Sequence, residues 1–192
     1  MNERGFTLAE LLVASAVLGM IMLGVFTVQR QGLSAYQVGS ARVEVQQNAR
    51  AALETMFNEI RTALTVTAVA APECGTGPVP SGGGATSISV RVAVPDPANP
   101  AVEIERTIDY RLTGTTLERR EEPAVAYDAL IGGVQSVRIW CYNANGVLTA
   151  TPTLVRSVHI QISTQTESAV AATSDRNQHA VMETRVRLRN LL

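Results

Sequence analysis

FTLAELLVASAVLGMIMLGVFTV, residues 6–28, is a long apolar run near the amino terminus of this sequence. Its 23 residues are almost all apolar or small, and they carry a single charge, at Glu10. A helix of this length spans about 34 Å, which is enough to cross the hydrocarbon core of a bilayer. The stretch therefore predicts a membrane-spanning helix close to the amino terminus.

Two interpretations of this helix use its composition alone. A secretory signal peptide would be cut after Ala14-Ser15-Ala16, and the mature chain would then begin at Val17. A plain membrane anchor would leave Glu10 without a role, although a charge inside hydrocarbon costs roughly 2.5–3.5 kcal/mol. Neither interpretation explains why one carboxylate stands in an otherwise apolar helix.

A third interpretation comes from the residues around Gly5. The run RGFTLAELLV, residues 4–13, resembles the class III signal of type IV pilins and of type II secretion pseudopilins. That signal is a short polar leader ending in Gly, then Phe, then a Glu at the fifth mature position of an apolar helix. The resemblance implies that a prepilin peptidase cuts between Gly5 and Phe6 and methylates the new amino terminus at Phe6.

The resemblance also implies a role for Glu10. A subunit that leaves the membrane for a filament packs its helix among related helices, where an unpaired carboxylate is costly. In this family the carboxylate pairs with the amino-terminal ammonium of a neighbouring subunit, which here would be at Phe6. We therefore expect Glu10 to be a subunit-docking residue that favours one axial register.

The helix is predicted to continue far beyond residue 28, because no proline precedes Pro72. An apolar stripe at helical spacing runs through its second half. The stripe consists of Val45, Ala49, Leu53, Met56, Ile60 and Ala63. The predicted organisation is a cleaved leader at 1–5, an apolar transmembrane half at 6–30, an amphipathic half at 31–64 and a head at 65–192.

Two further segments resemble a narrower group. QQNARAAL at 46–53 and NEIRTA at 58–63 are similar to the Q-x-x-A-R-x-x-L and D/E-I-R-x-A patterns of PilW-type minor pilins and the pseudopilin GspJ. TRVRLRN at 184–190 resembles their closing strand. The resemblance thus touches both ends of the chain, and the middle agrees only in its layout.

The sequence of the head predicts a loop followed by strands. Residues 65–86 are rich in glycine and proline and predict a loop. Beyond them, apolar and polar residues alternate with the period of half-buried strands. Six strands are predicted, at 87–94, 102–112, 116–119, 134–142, 155–163 and 181–189. The fold class is therefore α+β, a long amino-terminal helix packed on a mostly antiparallel sheet, as in pilins.

Two groups of head residues are candidate interfaces. Arg185, Arg187 and Arg189 share one face of the last strand, where they could meet a neighbouring subunit or DNA. The alternative is a charged edge strand that resists aggregation. Trp140 and Tyr142 also share a strand face, and such aromatics are common interface anchors, although ordinary packing would use them equally well.

The two cysteines, Cys74 and Cys141, would face an oxidising compartment if the head lies outside the membrane. A disulfide between them would close a loop of 66 residues and stabilise the head by roughly 4 kcal/mol. The alternative is two unpaired buried thiols. Sequence gives no distance between them, so both remain open here.

Composition and motifs point away from several functions. The net charge is −1, and all 16 basic residues are arginine, so the broad basic footprint of a nucleic-acid binder is missing. Neither His residue stands at a metal-ligand spacing, and no catalytic motif is present. We expect no enzyme activity, no cofactor and no metal, and a nucleic acid is a possible partner only through the Arg strand.

The resulting hypothesis is a structural subunit similar to PilW-type minor pilins, which prime assembly of a type IV pilus or cap it. The resemblance implies other minor pilins, the major pilin, a prepilin peptidase and an inner-membrane assembly platform as partners. It implies a single-pass inner-membrane protein with a periplasmic head, later placed in a surface pilus. The alternatives are a type II secretion pseudopilin and, from another class, an anchored periplasmic enzyme or binding protein.

Overall fold

The computed structural model describes residues 7–69, 83–166 and 177–189. The chain divides into two compact units, Met1–Ser40 and Ala41–Leu192. The described part of the first unit is helical, whereas the second unit contains the end of the same helix and all the strands.

The helix, α1, runs from Leu8 to Thr62. It is continuous because no proline interrupts it, and it ends two residues before the predicted boundary at residue 64. In the second unit the predicted stripe is buried. The buried helical residues are Val45, Ala49, Ala52, Leu53, Met56 and Ile60. Amphipathic spacing thus identified the face on which the helix packs.

Within the described residues, eight strands follow the helix, and every pairing between neighbouring strands is antiparallel. Their bounds are β1 Ala63–Val69, β2 Ser87–Pro95, β3 Glu103–Thr113, β4 Thr116–Glu121, β5 Asp128–Ile131, β6 Val134–Tyr142, β7 Ser157–Gln165 and β8 His179–Arg187. Strands β1 to β5 form sheet A in chain order, and β6 to β8 form sheet B. The predicted α+β fold, a long helix followed by antiparallel sheets, is confirmed.

Six strands were expected, and the described part of the chain contains two more. Strand β1 lies at the start of the predicted loop, so that part of the loop prediction is wrong. It follows the helix without a break and gains its hydrogen bonds from β2, which local sequence could not reveal. Strand β5 has only four residues and no alternation, and its pairing with β4 supplies the missing support.

The core joins the helix to both sheets in one apolar cluster. Met56 and Ile60 of the helix are fully buried beside strand residues such as Val90 of sheet A and Ile160 of sheet B. Burying large aliphatic side chains of this kind contributes about 1.5–3 kcal/mol each. The head is therefore held mainly by its apolar faces.

A polar cluster ties the helix to sheet A. Tyr110 of β3 donates a hydrogen bond from its hydroxyl to Glu59 of the helix. Arg119 of β4 donates to Glu59 Oε1 from Nε and Nη2, at 3.0 and 2.8 Å. Its Nη2 also lies 2.8 Å from Glu121 Oε2, and Arg106 reaches Glu121 Oε1 at 3.0 Å. We call these residues the Glu59 cluster.

Burial and charge shift the pKa values in this cluster. Burial, together with the Glu59 carboxylate, raises the pKa of Tyr110 well above its usual range, so the hydroxyl stays protonated and donates. The hydrogen bond from Arg119 lowers the pKa of Glu121. Glu121 therefore favours folding above the pKa of an unfolded carboxyl, and this contribution is lost as the pH falls through its lowered folded value.

We expect Arg119→Ala to lower the free energy of unfolding by about 2–3 kcal/mol, because it leaves Glu59 without its cationic partner. Removing one member of a fully buried pair costs about 3–5 kcal/mol. The loss is smaller here because the side chains of Arg119 and Glu59 are 24% and 23% exposed. Urea unfolding of the full chain in detergent micelles, followed by Trp140 fluorescence, measures it.

Arg91→Ala is the matched control, because Arg91 pairs with Glu105 on sheet A where the side chains are 46% and 59% exposed. We expect that variant to lose less than about 1 kcal/mol. The difference between the two variants in the free energy of unfolding should also become smaller in acid, because Glu121 is then protonated. Equal losses at neutral pH would show that the Glu59 cluster contributes no more than an exposed ion pair.

Candidate functional site

The most unusual surface of the described chain is the apolar part of α1. An 18-residue window of this helix has a mean hydropathy of 2.5, and none of it is buried within the chain. Leu8 and Met20, for example, are 79% and 73% exposed. By length and composition this helix could cross a membrane, and a helix that is apolar all round needs lipid or other helices to cover it.

A capping box starts this helix. Thr7 precedes the first helical residue, and its Oγ1 accepts a hydrogen bond from the Glu10 amide at 3.3 Å. In return, Glu10 Oε2 accepts from the Thr7 amide at 2.9 Å and from the Thr7 hydroxyl at 3.0 Å. This reciprocal pair satisfies amide groups that the first turn leaves without partners. Glu10 therefore has a local role as well as the predicted docking role.

The capping box leaves part of the Glu10 carboxylate available. The Thr7 amide and hydroxyl both bind Oε2, and Oε1 makes no hydrogen bond with any other residue in the described part of the chain. A carboxylate oxygen can accept further bonds, so one charge could serve the cap and a neighbouring cation together. The Thr-x-x-Glu pattern at residues 7–10 is the sequence signal that predicts such a cap.

The predicted cleavage site, Gly5 and Phe6, lies outside the described residues, so cleavage there and methylation of Phe6 stay predictions. The helix begins only two residues beyond Phe6. The predicted cleavage site would therefore lie immediately before the first helical turn, with Thr7 between Phe6 and the first helical residue.

The predicted aromatic interface consists of Trp140 and Tyr142, and the prediction is wrong for Trp140. Trp140 is 0% exposed, so it lies inside the head and cannot be a surface anchor. Its indole stacks against the His159 ring at a centroid distance of 5.2 Å. Gly84 lies so close that a Cβ there would be 3.1 Å from Trp140 Cε2. The strand pattern left both an interface and ordinary packing open for Trp140, and its contact with residue 84 could not be anticipated because that residue belongs to a distant segment.

Tyr142 and the arginines of the closing strand remain at the surface. The Tyr142 ring is half-buried, and the Arg185 guanidinium lies 4.2 Å from its centroid. Arg185, Arg187 and Arg189 are exposed, and the first two belong to β8, which is an edge strand of sheet B. Arg189 lies beyond the end of β8, where its amide donates to the Arg61 carbonyl. Their role as an interface stays a prediction.

One of the two cysteines, Cys141, lies in the described part of the chain. Cys141 is fully buried in β6. Cys74 lies outside the described residues, so the pairing of Cys74 with Cys141 stays a prediction.

Metal-ligating residues do not converge in the described chain. Across residues 7–69, 83–166 and 177–189, no three His, Cys, Asp or Glu side chains are grouped so that they could hold a metal ion.

Comparison with known proteins finds a family match at the start of the chain. The family described as the prokaryotic N-terminal methylation motif matches residues 1–26. A search of curated proteins finds no match. The matched region contains Gly5, Phe6 and Glu10, and it is the type IV pilin-like signal. This motif implies processing by a prepilin peptidase and assembly with other pilins, and it fits a helix anchored in a membrane.

Proposed function

We propose that this protein is a minor pilin, a structural subunit that primes assembly of a type IV pilus or caps it. The observation that carries the proposal is the methylation motif at residues 1–26, joined to an exposed apolar helix that begins with a Thr7–Glu10 capping box. A chain of this design functions by helix packing rather than by catalysis. The PilW-like segments at 46–63 and 184–190 favour the minor class over the major pilin.

The proposal implies a sequence of locations. The helix holds the precursor in the inner membrane as a single pass, with the head in the periplasm. After cleavage the residues divide into a filament-core segment at 6–30, an amphipathic segment at 31–64 and a head from 65 to 192. Sibling minor pilins, the major pilin and the inner-membrane assembly platform are the expected partners.

A pseudopilin of a type II secretion system is the second candidate. The observation that favours it is that the methylation motif is common to pilins and pseudopilins, and the segments at 46–53 and 58–63 resemble GspJ as well as PilW. Both candidates assemble through the same helix. They differ in what is lost with the subunit, which is surface pili in one case and secreted enzymes in the other.

The first test is the mass of the amino-terminal peptide from protein recovered from its native membrane. We expect a chain that begins at N-methylated Phe6. An intact Met1 in a cell with active prepilin peptidase would reduce the protein to an anchored protein, and a start at Val17 would make it a secreted one.

A control variant sharpens this test. Gly5→Leu places a bulky side chain at the cut, and we expect it to leave the precursor at full length in the membrane. Unchanged cleavage at Phe6 in this variant would show that Gly5 is not read by the peptidase.

A further inference from the structure

A pocket lies where the connection between β6 and β7 meets the carboxyl end of β8. It has a volume of about 400 Å³, within the range of about 300–1,000 Å³ that small-molecule sites occupy. Its lining includes Asn143, Gly146, Arg156, Ser157, Arg185 and Arg187. Strand register brings them together, because Ser157 pairs with Tyr142 on one side and Arg187 on the other.

The charge of this pocket is one-sided. Three of its lining residues are arginines, and none of the described residues that line it is acidic. The nearest acid along β8, Glu183, is directed at β7, where its Oε2 lies 3.6 Å from His159 Nε2 and 3.3 Å from Gln161 Nε2. Three arginines lining one pocket create a positive potential that an anion would neutralise.

Two of the guanidinium groups are held in place by neutral partners. Arg185 lies over the Tyr142 ring and donates from Nε and Nη2 to Ser157 Oγ, at 3.3 and 3.2 Å. Arg156 Nη1 donates to the carbonyls of Thr153 and Val155, each at 3.1 Å. These contacts position the two guanidinium groups without neutralising their charge.

Two more groups remain available as donors. The Arg187 side chain makes no hydrogen bond or ion pair with any other residue that the structure describes. The Asn143 Oδ1 is occupied by the amides of Asn145 and Val147, at 2.9 and 3.0 Å, which leaves its NH₂ group as the unused part of the side chain. The unused capacity of both side chains is therefore for donating hydrogen bonds.

We propose that this pocket binds a phosphate or sulfate group, either as the free anion or carried on a small molecule such as a sugar. The guanidinium fork matches the oxygens of these groups and binds them through charge-assisted hydrogen bonds. Three arginines around one pocket favour a doubly charged oxyanion over a single carboxylate. This site is separate from the amino-terminal helix and does not depend on the pilin assignment.

Isothermal titration calorimetry on the full chain in detergent micelles tests the site. The probes are inorganic phosphate, sulfate and glucose 6-phosphate, with chloride and glucose as controls. We expect the three oxyanions to bind and the controls to give no heat. Arg187→Gln should weaken binding at least about tenfold, because it removes one charge-assisted contact.

Arg91→Gln is the matched control, because this arginine is exposed on sheet A and does not line the pocket. We expect it to bind phosphate as the unchanged protein does. Tighter binding of glucose 6-phosphate than of phosphate would identify a carried group as the ligand, and equal binding would identify the free anion. The proposal is overturned if no oxyanion binds, if Arg187→Gln binds normally, or if a DNA oligonucleotide binds and sulfate fails to displace it.

Discussion

Glu10→Gln is expected to give a chain that is inserted, cleaved and methylated but reaches the filament at least about tenfold less than the unchanged protein. The glutamine oxygen can still accept from the Thr7 amide, since Gln and Glu both serve in capping boxes. What the variant loses is the charge that would pair with the ammonium of Phe6 on a neighbouring subunit. Close charge pairs of this kind couple by about 1.5–7 kcal/mol, so the loss is large.

Thr7→Ala is the matched variant, because it keeps the carboxylate and removes the hydroxyl that binds it. Losing a cap residue costs about 1 kcal/mol and affects the first helical turn. We therefore expect Thr7→Ala to assemble more fully than Glu10→Gln. Poor membrane insertion cannot explain an assembly defect of Glu10→Gln, because an uncharged Gln enters hydrocarbon more readily than a charged Glu does.

The readouts are the amount of subunit in sheared pili and the amount of secreted enzyme, in cells that lack the unchanged gene. Loss of pili with normal secretion would agree with a minor pilin, and loss of secretion with normal pili would place the subunit in a pseudopilus. If Glu10→Gln assembles normally while Thr7→Ala does not, Glu10 serves the cap alone and the docking role is wrong.

More of the fold than of the candidate site could be predicted from the sequence. Periodicity was enough for the helix and for six strands because each of those segments has its own repeat, for example Val158, Ile160 and Ile162 facing inward along β7. Strands β1 and β5 lack such a repeat and depend on partners across the sheet. The motif at the amino terminus was readable because its residues are adjacent in the chain.

The features that sequence reasoning missed are those that join distant residues. The Glu59 cluster joins Glu59 to Tyr110 and Arg119, which are 51 and 60 residues away along the chain. No sequence pattern in either segment predicts these contacts. The arginine pocket combines β8 with a turn more than 30 residues earlier. Strand alternation gave the correct face for Arg185 and Arg187, but the convergence of Arg156 on them required the register of β7 and β8.

Trp140→Ala is expected to lower the free energy of unfolding by about 3–5 kcal/mol, the usual cost of removing a large buried aromatic side chain. The ring is fully buried, and it fills the space between Gly84 and His159. Ala85, the residue after Gly84, exchanges two backbone hydrogen bonds with Ile139 of β6, at 2.9 and 3.0 Å, so this segment cannot easily shift to close the cavity. Urea unfolding followed by circular dichroism measures the loss without the indole.

Trp140→Phe separates the volume of this ring from its polarity. The indole Nε1 is buried and has no hydrogen-bond partner in the described part of the chain, and such a donor costs about 1–3 kcal/mol. Phenylalanine removes that cost while giving up part of the contact area, so we expect a net change within about 1 kcal/mol. If Trp140→Ala unfolds like the unchanged protein, the ring does not fill a core cavity and the assignment made from its burial is wrong. A loss of stability in Trp140→Ala with near-normal Trp140→Phe would instead establish the ring as a core residue whose shape, rather than its donor, holds residue 84 against sheet B.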